Sequence, residues 1–326
     1  MHPDRKRPLH HPYDKAYKSL LSSRSLFAEL LQNFVPGEWA RQIAGEDLLR
    51  VDKSYILSDY KEKESDLVYR ACIRGQEFYF YLLLEFQSRV DFEMPHRLLT
   101  YMTEIWRDVS LNAPPAEVRR KSYRLPAIVP IVLYNGSSAW TAARSFREML
   151  GGEQHFGEEL LNFRYVLLDV KRLDERKLQE MDNLMGLIFL VEQHPGAESF
   201  TAQLKKSSRM LQTLSPELFR LFKSWFKLIN PKETEQIGHI LDEFNDPKGV
   251  DSMISNLTKA LRDEYYEMRR KGLEEGKVEG MAAGKAEGER AARQEIARNL
   301  LAEGMSAEQT MRLSGLTREE IDRLST

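Results

Sequence analysis

Residues 66–87, DLVYRACIRGQEFYFYLLLEFQ, hold two runs of β-branched, aromatic and aliphatic residues on either side of Gly75-Gln76. That pattern predicts a β-hairpin. A type II′ turn takes glycine at its first central position, so placing Gly75 there sets Arg74 opposite Glu77 and defines the register. One face then pairs Asp66 with Glu85, Val68 with Leu83, Arg70 with Tyr81 and Cys72 with Tyr79. The other pairs Leu67 with Leu84, Tyr69 with Leu82, Ala71 with Phe80 and Ile73 with Phe78. This second face is apolar throughout and predicts a core.

In that register Asp66 and Glu85 are directly opposed, with Cβ atoms about 5 Å apart, and Gln87 follows along the same face. Like charges so placed destabilise a strand pair. A divalent cation removes the penalty, because one or two carboxylates with water completing the shell suit Mg²⁺. The alternative is a solvated hairpin end where two acids cost little, and a shifted register would dissolve the pairing.

Outward from the hairpin, residues 14–34 space Ala16, Leu20, Leu21, Phe27, Leu30, Leu31 and Phe34 as one amphipathic helix ending at Pro36-Gly37. Residues 51–57 read as a strand before the hairpin, and residues 95–111 as a helix after it, with Leu98, Met102, Ile105, Trp106 and Val109 on one face. The run AIVPIVLY at 127–134, closed by Asn135-Gly136, reads as a strand buried on both faces, with Pro130 pointing to an edge or bulge. Residues 163–170 supply another strand. The order α-β-β-β-α-β describes an α/β domain with a mixed sheet flanked by helices, over residues 1–170.

Residues 171–270 read as helical throughout. From 271 to 295, Gly272, Gly276, Gly280, Gly284 and Gly288 recur among Glu, Lys and Ala. Each mid-helix glycine costs about 1 kcal/mol against alanine, so the segment is either a flexible linker or a helix with a small-residue stripe for self-association. Residues 296–326 end the sequence with two capping boxes, Ser306 to Gln309 and Thr317 to Glu320, which predict a pair of short helices. As a helix-turn-helix this pair would place 318–324 in a major groove. Arg318 and Arg323 are outnumbered there by Glu319, Glu320 and Asp322, which favours a protein contact over base reading.

Bulk composition narrows the class. A chain of 326 residues with 42% hydrophobic and 30% charged residues can bury a sizeable core without disulfides. Cys72 is the sole cysteine, which excludes an intrachain disulfide or a multi-cysteine zinc site and suits the reducing cytoplasm. No stretch approaches the roughly 18 apolar residues of a membrane span, and the N-terminus lacks the apolar core of an export signal. A net charge of -2 supplies no global pull on nucleic acid, so DNA contact would fall to patches such as Arg5-Lys6-Arg7 and Arg119-Arg120-Lys121.

No Gly-x-Ser-x-Gly elbow, Walker loop or His-Glu-x-x-His is present, which leaves a hydrolase triad, an NTPase and a zinc protease unsupported. His10-His11 sits in a terminal stretch and carries no metal argument. Arg97 and Tyr101, one turn apart, either reach a phosphate or serve the surface and packing.

The stretches HPYDKAYKSLL, ESDLVYR, YLLLEFQS and MPHRLLTYM, then LPAIVPIVLYNG with Trp140 soon after, resemble in order the Rpn recombination-promoting nucleases, the YhgA-like family. The resemblance covers roughly residues 10–140, and the glycine-repeat tail with its helix pair is also similar to such proteins. It implies the restriction-endonuclease-like αβββαβ core of the PD-(D/E)XK superfamily and a metal-dependent DNA endonuclease tied to recombination or mobile elements. Asp66 is then the motif aspartate, Glu85 the second acid, and Gln87 stands where the superfamily usually has lysine. Asp14 with Lys18 resembles the family's N-terminal helix motif; without it, the two read as an i,i+4 surface ion pair. Mg²⁺, or Mn²⁺ or Ca²⁺ in its place, would bind Asp66 and Glu85, and Gln87 would position the attacking water. Phe86 and Asn135 depart from the histidine often found in relatives, which bears on substrate handling. Gln87 cannot supply lysine's charge, which keeps open a non-catalytic DNA- or protein-binding protein on a degenerate nuclease fold.

Overall fold

A computed structural model describes residues 12–51, 67–73, 75–85, 90–194, 196–229 and 235–324. The described residues divide into two compact units, with the boundary between Ala260 and Leu261.

The first unit begins with α1 (Pro12–Leu21), α2 (Arg24–Phe34), the single turn α3 (Glu38–Arg41) and β1 (Leu48–Val51). The hairpin β2 (Leu67–Ile73) and β3 (Gln76–Glu85) follows, then α4 (Met94–Asn112), the turn α5 (Pro115–Val118), β4 (Ala127–Tyr134), the turn α6 (Glu153–Phe156) and β5 (Val166–Asp169). Helices then succeed one another: α7 (Glu175–Glu180), α8 (Leu184–Gln193), α9 (Ala197–Lys206), α10 (Ser208–Thr213), α11 (Pro216–Ile229), α12 (Glu235–Glu243) and the start of α13 (Val250–Ala302). Among the described residues the sheet runs in the order β1-β2-β3-β4-β5. β1, β2 and β3 are antiparallel, while β3, β4 and β5 are parallel, so the expected mixed sheet of an α/β domain is present.

The hairpin differs from its expected register by two residues. Ile73 pairs with Gln76, Cys72 with Glu77, Arg70 with Tyr79 and Val68 with Tyr81. Gly75 therefore takes the second place in the loop, where its φ of +77° is open to glycine at no steric cost. A shift of two preserves which residues share a face, because side chains alternate with period two. It does not preserve direct opposition: the ladder sets Leu67 across from Leu82 and leaves Glu85 three residues further along. Asp66 lies outside the described residues.

Both faces of the sheet are covered. On one, Tyr69 stacks on Phe27 at 4.2 Å between ring centroids and its hydroxyl donates to the Leu21 carbonyl at 2.7 Å, while Trp39 stacks on Phe80 at 5.8 Å. This is the apolar face expected from the alternation. On the other, Val68, Tyr79, Tyr81, Leu83 and Val132 pack with Met94, Leu98 and Ile105 of α4.

Three further expectations meet the structure. Residues 14–34 form two helices, since Ser22 Oγ donates to the Lys18 carbonyl at 2.5 Å and Ser23 adopts extended backbone. Adjacent hydroxyls offer the backbone an alternative to the helical ladder. Pro130 stands in a strand flanked on both sides, in register with Tyr81, but β5 begins to pair only at Ile131. At Pro130 itself β4 therefore still has one open side, as a strand proline requires. The strand observed here, Leu48–Val51, meets the one expected at 51–57 only at Val51; residues 52–57 fall outside the described residues.

The second unit contains the remainder of α13, then α14 (Ala307–Ser314) and α15 (Arg318–Leu324). The glycine repeat is helical: α13 runs for 53 residues, roughly 80 Å at 1.5 Å per residue. A Cβ added at any of its five repeat glycines meets nothing within 4 Å. Ala297, Leu316 and Ile321 form a small core with Leu301, Ala307, Met311 and Leu324. Ser306 and Gln309 form the expected capping box, and Gly315 (φ +71°) closes α14 in the left-handed region.

Candidate active site at the carboxyl edge of the parallel strands

The three parallel strands end together. Glu85, Tyr134 and Asp169 are in register at the last positions of β3, β4 and β5. In open α/β sheets, ligands commonly bind beyond the carboxyl ends of the parallel strands.

Local sequence explains how the exits are shaped. After β4 the chain doubles back over Tyr134, so a Cβ on Gly136 would lie 2.0 Å from the Tyr134 hydroxyl oxygen. That hydroxyl donates to the Ser138 carbonyl at 2.9 Å, and the ring meets Trp140 edge-on at 4.9 Å. Trp140 Nε1 donates to the Tyr165 hydroxyl at 2.8 Å, which in turn donates to the Ala143 carbonyl at 2.7 Å. After β5, Arg172 pairs with Asp169 at 3.1 Å and donates to the Ser137 carbonyl at 2.8 Å. Asp169 is thereby paired with Arg172.

The end of α8 brings a further acid to this edge. Glu192 is only 5% exposed, and its Oε2 accepts from Asn135 Nδ2 at 2.5 Å. Lys171 donates to the Glu192 backbone carbonyl, and Gln193 Nε2 donates to the carbonyls of Val170 and Leu173 at 2.8 and 2.9 Å. Tyr17 of α1 faces the same carboxyl group, and Tyr13 feels its charge. Burial pushes the Glu192 pKa up to about 7, against the opposing pull of Asn135, Lys171 and Tyr17. Burial first, and then the Glu192 charge, raise Tyr17 well above the ordinary tyrosine range. Sequence reasoning passed over Glu192; the signal available was one acid closing the apolar run LMGLIFLVE of α8.

The expected site residues divide as follows. Asp14 and Lys18 are half-buried on α1, which packs against β3 and α11. Glu85 closes β3 at the carboxyl edge. Asp66 and Gln87 lie outside the described residues, and so does Phe86. Among the described residues, no group of three or more His, Cys, Asp and Glu is arranged to hold a metal. Arg97 pairs with Asp91, and Tyr101 packs on Tyr81 at 5.0 Å between ring centroids.

Comparison with known proteins bears on both units. The family model described as "Putative transposase, YhgA-like" matches residues 11–217, and the model of the Rpn/YhgA-like nuclease family C-terminal HTH domain matches residues 290–326. The terminal pair, whose charges favoured a protein contact, is thus a helix-turn-helix by family. The chain is 25% identical over 128 residues to recombination-promoting nuclease RpnC of Escherichia coli (strain K12), covering 39% of this chain and 40% of that protein. It is 26% identical over 128 residues to recombination-promoting nuclease RpnD of Escherichia coli O157:H7, covering 39% and 46%. The aligned part therefore spans less than half the length of these relatives. No solved structure matches the chain. No described helix is long and apolar enough to cross a membrane. With the larger family model covering 11–217 and the tail matching the same family's C-terminal domain, the chain belongs to the Rpn/YhgA-like nuclease family.

Proposed function

We propose that this protein is a divalent-metal-dependent DNA endonuclease of the PD-(D/E)XK type, acting in recombination or mobile-element chemistry and held to DNA in part by its C-terminal helix-turn-helix. The observation that supports it best is the register of β3, β4 and β5, which sets Glu85 at the edge where parallel sheets bind ligands, in a chain of a nuclease family. The lone Cys72 suits a cytoplasmic setting.

The donor chemistry fits a hard cation. Asp169, the neighbouring edge acid, is committed to Arg172, which leaves Glu85 and Asp66, the residue preceding β2, as carboxylates for Mg²⁺. When bound, the ion would acidify a water and polarise a phosphate oxygen for in-line attack. Gln87 would orient that water through its amide, and Asp14 with Lys18 would approach from α1. Phosphate contacts by Arg312, Arg318 and Arg323 would secure the tail on the duplex.

Plasmid cleavage by the purified full-length chain tests this, with Mg²⁺, with EDTA, and with Asp66→Ala and Glu85→Ala. Nicking or linearisation that needs the metal and both acids is expected. A folded wild type that cleaves nothing with Mg²⁺, Mn²⁺ or Ca²⁺ would refute it and leave a DNA-binding protein on a nuclease fold.

A further inference from the structure

Glu192 is the one buried acid among the described residues, and the chemistry proposed above does not use it. Three segments converge on the end of its helix. Tyr17 reaches it from α1, Asn135 from the exit of β4, and Lys171 from the exit of β5. Of these, the exit of β4 adjoins the carboxyl end of β3. α1 packs on β3 and carries Asp14 and Lys18; Asn135 follows Tyr134, which is in register with Glu85.

The Asn135 carboxamide shows what the contact achieves. With Nδ2 given to Glu192, its Oδ1 is buried and has no hydrogen-bond partner among the described residues. Buried acceptors are ordinarily satisfied, so this oxygen keeps the capacity to accept one more donor. An amide torsion is broad and two-fold, and without its anchor this group would lose its fixed orientation. We propose that Glu192 is a positioning residue of the nuclease site, holding the Asn135 carboxamide and helix α1 in place beside the carboxyl end of β3. The proposal rests on the nuclease reading.

The groups that face the carboxyl are Tyr13 and Tyr17 from α1, Asn135 from the β4 exit and Lys171 from the β5 exit. Its proton is exchanged near neutrality, so its charge alters this network within the working range of an enzyme. The test measures kcat and KM for Mg²⁺-dependent cleavage of supercoiled plasmid from pH 5.5 to 9, using full-length wild type, Glu192→Gln and Glu192→Ala. Glu192→Ala is expected to lower kcat at least tenfold with KM within about twofold. Glu192→Gln, nearly the same shape, is expected to recover most of that loss and to erase the inflection near pH 7; it also carries the test alone if the alanine variant does not fold. Wild-type kcat and an unchanged pH profile in both variants would overturn the proposal while leaving the nuclease reading intact. An inert wild type would overturn both.

Discussion

Glu192→Gln should alter how the stability of the first unit depends on pH. The folded carboxyl has a pKa of about 7 against an ordinary 4.5, because it is buried. Between those values the folded chain binds more protons than the unfolded one, so stability falls as pH rises. The stabilising difference is fully present below pH 4.5 and is lost as pH passes through 7. A shift of that size corresponds to about 3 kcal/mol, at about 1.4 kcal/mol per pKa unit. This is a sizeable share of the 5–15 kcal/mol typical of a domain. Glutamine keeps an acceptor for Asn135 and has no proton to lose, so its variant should lack this slope. All four tryptophans, Trp39, Trp106, Trp140 and Trp225, lie in the first unit, so urea unfolding followed by their fluorescence reports on it alone. Glu29, also raised by burial, contributes equally to both proteins and cancels in the difference. The variant should gain about 3 kcal/mol relative to wild type between pH 4.5 and pH 8. An unchanged difference across that range would refute the account of Glu192 as a buried, late-ionising acid.

Two other substitutions probe the frame. Gly136→Ala drives a methyl into the Tyr134 hydroxyl, where only 2.0 Å is available, and should cost more than about 2 kcal/mol in the same urea assay. Wild-type stability would show that the turn after β4 relaxes freely. Ile321→Ala empties the small core of the second unit and should cost about 2–4 kcal/mol there, melting α14 and α15 in far-ultraviolet circular dichroism while the tryptophan transition stays put. Loss of DNA retention in a filter-binding assay is expected to accompany it.

The alternation in 66–87 made the two faces of the hairpin legible, and the apolar run 127–134 identified β4 with its bounds, since burial imposes a period of two or a continuous apolar stretch. The family motifs and both capping boxes were likewise written locally. Register was less legible. A hairpin with Gly75 at either loop position satisfies the same alternation, so the pattern could not choose between Asp66 facing Glu85 and the shift of two that the ladder shows. The break at Ser22-Ser23 was missed because apolar spacing continues across it, while the hydroxyls act through backbone hydrogen bonds that spacing does not encode.

By itself the sequence determined the element order, the face each strand buries, the helical ends of the tail and the family, because each depends on neighbours within a few residues. Only the tertiary structure decided that β3, β4 and β5 end in register, and that Tyr17, Asn135, Lys171 and Glu192 meet at that edge. The reason is physical: Asn135 and Glu192 are 57 positions apart, and a carboxyl so far from its partners along the chain shows no period or spacing. Its buried state and late ionisation arise only when α1, α8 and two strand exits exclude water from it together.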